Sequence, residues 1–444
     1  MRVWLQWCGR KLSALSPRQI LLIGFGVFLL YSFPGYMSTD SAQQLAEARS
    51  GHFSDAHPPL MAQEWRWLDW IVSGPLLMLL LQGTLFLGGL YVLFKKLLSP
   101  RAAAWTAIGI LLFPPVLTPM GVIWKDSQMA AYLIAGTAAL VQPRLRVRLV
   151  GLGLLTAACA LRHNALAAAI PLVFFLFEWK PGLRWWKRIA ILAGAAVLTV
   201  GLTCGVTRVL AADHVRLTPA FSDIVGVIAL SEDRTDEDLR NVLRGTNLVV
   251  TTNIQARARL LYELHGTWRI AGGEYRLFNY PETPEHWAAL NRAWKELVLE
   301  NPGVYLRQNW GRFASVIGWS DDPPRAAVWG AFLELPEHML PIDHNASGSW
   351  AQACIVSAFV WLVENTPLFR PYIYALIALI LLVLCCRDRL TAGLFTSGLL
   401  YELSFFPTGV DPDYRYSHWL ITSVCVATVI LFVQRRRRAP SSTG

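Results

Sequence analysis

Ile20-Leu21-Leu22-Ile23-Gly24-Phe25-Gly26-Val27-Phe28-Leu29-Leu30-Tyr31-Ser32-Phe33-Pro34-Gly35-Tyr36 carries no charge and stops just before Ser38-Thr39-Asp40-Ser41-Ala42-Gln43-Gln44. An uncharged apolar run of that length suits a helix crossing roughly 30 Å of hydrocarbon. Further runs of about 17–23 residues recur along the chain. In a chain of 444 residues, 54% hydrophobic and 16% charged, they predict a polytopic α-helical membrane protein. The net charge of +10 does not point to nucleic acid, because the basic residues fall in the short connections between runs. That is the positive-inside pattern, which reports orientation and contact with anionic lipid. Seven cysteines lie scattered, mostly inside apolar runs and without metal-ligand spacing, so buried thiols are expected rather than disulfides. The basic amino terminus lacks a small-residue cleavage site after its apolar run, which predicts an uncleaved first helix.

Arg2, Arg10, Lys11 and Arg18 place the amino terminus in the cytoplasm. Spans are predicted at about 19–36, 73–94, 102–122 and 127–142. The stretch at about 149–178 is interrupted by Arg162-His163-Asn164. As one span it would bury an arginine mid-bilayer, at roughly 2.5–3.5 kcal/mol, so two short helices meeting at the outer surface are expected. Spans at about 189–211, 366–386, 390–407 and 418–434 complete about ten, with both termini cytoplasmic. The domains are then a membrane core at 1–211 with a first external loop at 37–72, a small extracytoplasmic domain at 212–349, C-terminal spans at 350–438 and a disordered tail at 439–444. In the external domain, Thr283-Pro284-Glu285 and Asn301-Pro302 each open a helix. Tyr305, Leu306, Trp310, Phe313 and Val316 give the second an amphipathic face suited to the membrane surface. Another interfacial helix is expected at 349–364.

Threaded this way, the external connections collect the residues that carry chemistry: Asp40, Asp55 and His57; Lys125 and Asp126; Arg162, His163 and Asn164; Asp411, Asp413, Tyr414, Arg415, Tyr416 and His418. A carboxylate just past a helix end stays ionised and still meets a lipid-borne substrate. It can deprotonate an attacking hydroxyl, while arginine neutralises a departing phosphate through bidentate hydrogen bonds. Each residue also has a plainer reading. Thr39 or Asp40 could cap the following helix. His57 before Pro58-Pro59 could stiffen the loop, and Lys125-Asp126 could be a local ion pair. Arg162 could snorkel to headgroups, and Arg415 among Tyr414, Tyr416 and Trp419 could belong to an aromatic belt.

Asp40 followed by His57-Pro58-Pro59-Leu60, with Asp126 at the outer start of the fourth span, resembles the GT-C superfamily of polyprenyl-phosphate-sugar glycosyltransferases. The protein O-mannosyltransferases and the aminoarabinose transferase of lipid A belong to it. Arg162-His163-Asn164 between half-spans, the Asn301-Pro302 helix and Arg415-Tyr416 are similar to a bacterial branch of that superfamily. The resemblance covers about 19–211 and the last spans. It implies a GT-C-like enzyme of the bacterial cytoplasmic (inner) membrane, its active site facing the periplasm or exterior. Such an enzyme moves a sugar from a polyprenyl-phosphate carrier to a hydroxyl of a lipid, glycan or protein. Asp40 would be the general base or position the acceptor, and Asp126 would support it. Substrate would be bound among His57, Lys125, Arg162, His163, Asn164, Tyr414, Arg415 and Tyr416. The mannosyltransferase branch carries an Asp-Glu pair where this chain reads Asp40-Ser41, which leaves acceptor type and metal use open. The sequence requires no cofactor and is compatible with a divalent metal, Mg or Mn. Its partners would be the lipid-linked donor, a lipid or glycan acceptor and membrane lipids, with no nucleic acid. The alternatives are a transporter or flippase of a lipid-linked or anionic solute, and a surface-polysaccharide polymerase or ligase.

Overall fold

The computed structural model describes residues 15–54, 57–211, 220–231, 234–263, 270, 275–320, 323–329, 348–385, 388–409 and 411–438. The predicted amino-terminal basic cluster up to Lys11, Asp55 and the tail at 439–444 lie outside them. Every regular element among the described residues is helical, with only isolated β-bridges between segments.

Two compact units divide the chain. The first joins Met1–Val215, Ala326–Glu402 and Arg415–Gly444, and the second joins Arg216–Arg325 and Leu403–Tyr414. The sequence reading bounded the polar domain at 212 and 349, as one continuous segment.

In the first unit, α1 (Pro17–Ser32) starts with a capping box between Ser16 and Gln19 and a first-turn proline. Short α2 (Thr39–Ser50) and α3 (Leu60–Asp69) fill the first loop. α4 (Leu76–Phe94) follows, then α5 (Pro100–Leu111) and α6 (Pro114–Met120). The expected third span is thus two helices bent by 72°. Pro114 and Pro115 cause the break, since neither offers an amide to continue α5. α7 (Lys125–Leu140), α8 (Leu145–Leu161) and α9 (Ala165–Leu176) come next, with the predicted interruption at 162–164 lying between α8 and α9. α10 (Trp185–Leu210) ends the amino-terminal part, and α16 (Trp350–Asn365), α17 (Pro371–Cys385), α18 (Arg389–Leu403) and α20 (His418–Arg438) form the carboxy-terminal one.

Three helical stretches among the described residues are long and apolar enough to cross a membrane: Leu76–Phe94, Trp185–Leu210 and Tyr414–Arg437. The bent pair α5–α6 makes a fourth if it counts as one span. Pro17–Ser32, Ala165–Leu176 and Pro371–Leu384 are apolar but shorter. The chain therefore has the character of a helical membrane protein.

Glycines set the closeness of packing around α7. A Cβ on Gly89 of α4 would lie 2.9 Å from the Ala135 amide nitrogen. One on Gly151 of α8 would lie 2.9 Å from the Leu140 nitrogen and 3.0 Å from the Gly136 carbonyl oxygen. Backbones this close are how helices associate where no water is present to drive them together.

The second unit holds α11 (Ala220–Leu230), α12 (Asp236–Val242), α13 (Ile254–Glu263), α14 (Pro284–Glu300), α15 (Pro302–Val316) and the short α19 (Phe405–Thr408). Its core gathers Phe221, Ile224, Val227, Ile228, Leu239, Phe278, Leu290 and Leu297. α15 reverses the usual arrangement: Gln308, Asn309 and Arg312 are buried, whereas Leu306 and Trp310 are more than half exposed. Asp223 organises the buried side, accepting from Arg312 at 2.6 Å, Gln308 at 3.2 Å and the Trp294 indole at 2.9 Å.

Candidate functional site

The first loop is lashed to the segment ahead of α7 by peptide groups. Tyr36 donates its amide to the Gly121 carbonyl at 3.1 Å, and Ile123 donates back to the Tyr36 carbonyl at 2.9 Å. Two serines extend the tie. Ser41 Oγ donates to the Ile123 carbonyl at 2.7 Å, and Ser38 Oγ accepts from the Trp124 indole at 2.8 Å. Ser38 and Ser41 also form the capping box that starts α2. The cap is therefore Ser38, not Thr39 or Asp40 as the sequence suggested. Asp40 sits in the first turn of α2 and leaves the capping to Ser38.

Arg415 Nη2 lies 2.8 Å from Asp40 Oδ2, and His57 Nε2 lies 4.0 Å from Asp40 Oδ1. The other ring nitrogen of His57, Nδ1, is 2.6 Å from Lys125 Nζ. A lysine ammonium only donates, so Nδ1 is the acceptor and the imidazole proton sits on Nε2, toward Asp40. Lys125 therefore bonds His57, not its neighbour Asp126. Asp126, fully buried, pairs instead with Arg162, whose Nη1 lies 2.7 and 2.8 Å from its two carboxylate oxygens. That pairing replaces the local Lys125-Asp126 contact and the snorkelling arginine as readings of these residues.

Tyr416 links the two acid–arginine pairs. The Arg162 guanidinium carbon stands 4.6 Å from its ring centroid and the Arg415 carbon 5.5 Å. Arg415 also stands 5.0 Å from the Trp124 ring. Flat cations against aromatic faces hold their orientation without spending their hydrogen-bond donors. The cluster carries three cations, Lys125, Arg162 and Arg415, against the two carboxylates of Asp40 and Asp126.

Burial alone would raise the Asp40 carboxyl, but Arg415, followed by His57 and Lys125, outweighs it and holds the group well below the usual carboxylate range. His57 is pushed down to about 3 by burial, with Lys125 adding to the effect against the opposing pull of Asp40. The imidazole is thus neutral through the physiological range, in accord with its bond to Lys125.

Of the residues singled out in the sequence, Asp40, His57, Lys125, Asp126, Arg162, Arg415 and Tyr416 converge here from distant parts of the chain. His163 is exposed and Asn164 half-buried in the break beside Arg162. Tyr414 belongs to the second unit, where its amide donates to the Arg325 carbonyl at 2.9 Å. Among the described residues no three His, Cys, Asp or Glu side chains group as a metal site.

Comparison with protein-family models, with characterised proteins and with solved structures finds no match. The site is therefore read from its own geometry.

Three contributors escaped the sequence reading. Tyr401 of α18 donates to Asp126 Oδ1 at 3.4 Å, Trp124 supports Arg415, and Ser38 fixes Trp124. Trp124 stood next to Lys125-Asp126 and could have been noticed as a platform. Tyr401 lies within an apolar run and gave no signal. Glu64 of α3 is a further acid, half-buried, accepting from Tyr132 at 2.7 Å. Burial raises it to about 7, only partly offset by that bond.

Proposed function

We propose that the chain is a membrane glycosyltransferase of GT-C-like type, taking a sugar from a polyprenyl-phosphate carrier and passing it to a hydroxyl of a lipid, glycan or protein. The observation carrying this reading is the pair of acid–arginine contacts, Asp40–Arg415 and Asp126–Arg162, meeting at one tyrosine ring with Lys125 alongside. A phosphate-linked donor calls for that combination, a carboxylate for the acceptor proton and surplus cations for the leaving group.

The resting geometry adds a condition. A carboxylate held far down by Arg415 is a weak base. When donor phosphate engages Arg415, the guanidinium is drawn from Asp40 and the carboxylate regains basicity as the donor arrives. The acceptor oxygen then attacks the anomeric carbon, and the bond from that carbon to the phosphate oxygen breaks. The hydroxyl proton passes to Asp40, and the polyprenyl phosphate leaves against Arg415, Arg162 and Lys125. Buried Asp126 holds Arg162 in place rather than meeting the acceptor itself.

Ten spans, cytoplasmic termini and a site at the outer face of a bacterial inner membrane complete the reading. The exposed Leu306 and Trp310 of α15 suit a helix resting on the membrane surface.

The test is incubation of purified protein with a panel of radiolabelled polyprenyl-phosphate sugars and a membrane-lipid extract, beside Asp40→Asn. Transfer by the wild type and its reduction by at least about 10²-fold in the variant are expected. An Asp40→Asn enzyme that transfers normally, or a wild type that moves labelled donor across proteoliposomes without forming a glycosidic bond, overturns the proposal.

A further inference from the structure

A second polar concentration lies in the first unit, far along the sequence from Asp40. A cavity of about 220 Å³ opens between the end of α9, the 178–184 connection, the start of α10 and the first residue of α18. Its walls include Leu192 and Phe177, and its lining carries Lys180, Arg188 and Arg389. The one acid there, Glu178, already faces Arg148 at 3.9 Å. None of the three lining cations has a carboxylate partner among the described residues. A cavity with an apolar wall and three uncompensated cations is matched to an anion that carries hydrocarbon.

The surroundings say where that anion comes from. Trp179, which also lines the cavity, is 48% exposed, and Trp185 and Trp186 next to it are 74% and 49% exposed. Exposed tryptophans clustered at one end of an apolar helix mark the headgroup level of a bilayer. The helix is α10, 26 residues long, and only 17% of its apolar window is buried inside the protein. A soluble phosphate would meet the same cations, but it would leave the apolar wall uncovered and gain nothing from a position in the tryptophan belt.

We infer that this cavity binds the phosphodiester headgroup of an anionic phospholipid, Lys180, Arg188 and Arg389 holding the phosphate while the glycerol and upper acyl carbons lie along Leu192 and Phe177. Basic pockets between membrane helices on the cytoplasmic side are suited to such headgroups. The site is separate from the Asp40–Arg415 cluster and does not depend on sugar transfer.

The experiment is native mass spectrometry of the detergent-solubilised full chain, titrated with phosphatidylglycerol, phosphatidylcholine or inorganic phosphate. One phosphatidylglycerol should bind in clear preference to phosphatidylcholine. Each of Lys180→Ala, Arg188→Ala and Arg389→Ala should weaken it about fivefold, and the triple variant about a hundredfold. The control is Arg435→Ala/Arg436→Ala/Arg437→Ala, which removes equal charge from the exposed end of α20 and should leave the bound lipid in place. Should the triple variant fail to fold, the three single variants carry the test. Equal loss in the control, no preference for phosphatidylglycerol, or inorganic phosphate binding to the same cations where lipid does not, overturns the inference.

Discussion

Asp40 and Asp126 are both carboxylates opposite arginine, but they differ in what surrounds them. The Asp40 side chain is 30% exposed and that of Asp126 is 0% exposed. Removing one partner from a buried pair strands the other charge, at about 3–5 kcal/mol. Asp126→Asn should therefore lower the thermal unfolding temperature markedly, and Asp40→Asn by clearly less, because water reaches the Asp40 side of its pair. Equal shifts in scanning fluorimetry would contradict the division between a supporting and a reacting acid. His57 makes a separate prediction. Its folded pKa of about 3 lies below the unfolded value near 6.5, so between those pH values the unfolded chain binds a proton that the folded chain does not. Its contribution is complete above about pH 6.5 and is lost as pH falls toward 3, on the order of a few kcal/mol in all. The depressed Asp40 acts in the same direction, being lost on acidification below the unfolded carboxylate pKa near 4. His57→Gln should flatten the stability profile between pH 6.5 and 4. An unchanged profile would mean that the imidazole is not held neutral.

Helices α7 and α8 approach through Gly136 and Gly151, and α7 and α4 through Gly89. Gly151→Val would drive two methyls into the Leu140 backbone, so α8 must shift and Arg162 at its carboxy-terminal cap shifts with it. Stability should fall by about 1–3 kcal/mol, and the proposed transfer should fall with it; Gly153→Val, on the other side of α8 in open space, should do neither. At this scale most of the chain was legible. Proline and serine at helix starts, runs of apolar residues and the polar interruption at 162–164 are local signals, and the helices follow them. The bend between α5 and α6 was missed: Pro114-Pro115 mark it, but the continuous apolar character of 102–122 hid it. Partner choice was not legible. Asp126 has Lys125 beside it in sequence, yet bonds Arg162, because a helix points successive side chains about 100° apart and the nearest neighbour in sequence is not the nearest in space. Tyr401 reaches Asp126 by the same kind of long-range packing.

The two compact units have separate cores, and the second rests on Ile224, Phe221 and Leu290 rather than on any residue of the membrane helices. Ile224→Ala should cost about 2–5 kcal/mol there. Hydrogen exchange should quicken within 220–316 and stay unchanged in α7 and α8; acceleration in both would show that the units unfold as one. The tie between Tyr36 and the 121–123 segment has a consequence of another kind. It is made of peptide groups alone, so a change of side chain at 36 or 123 leaves its hydrogen-bonding groups in place, whereas at 121 a Cβ would meet the Tyr31 ring at 2.7 Å and glycine is required. Proline is the residue that would remove the bonds at 36 and 123, where the amide hydrogen is donated. At 36 and 123 the tie itself is thus constrained by what may not appear rather than by what must be kept.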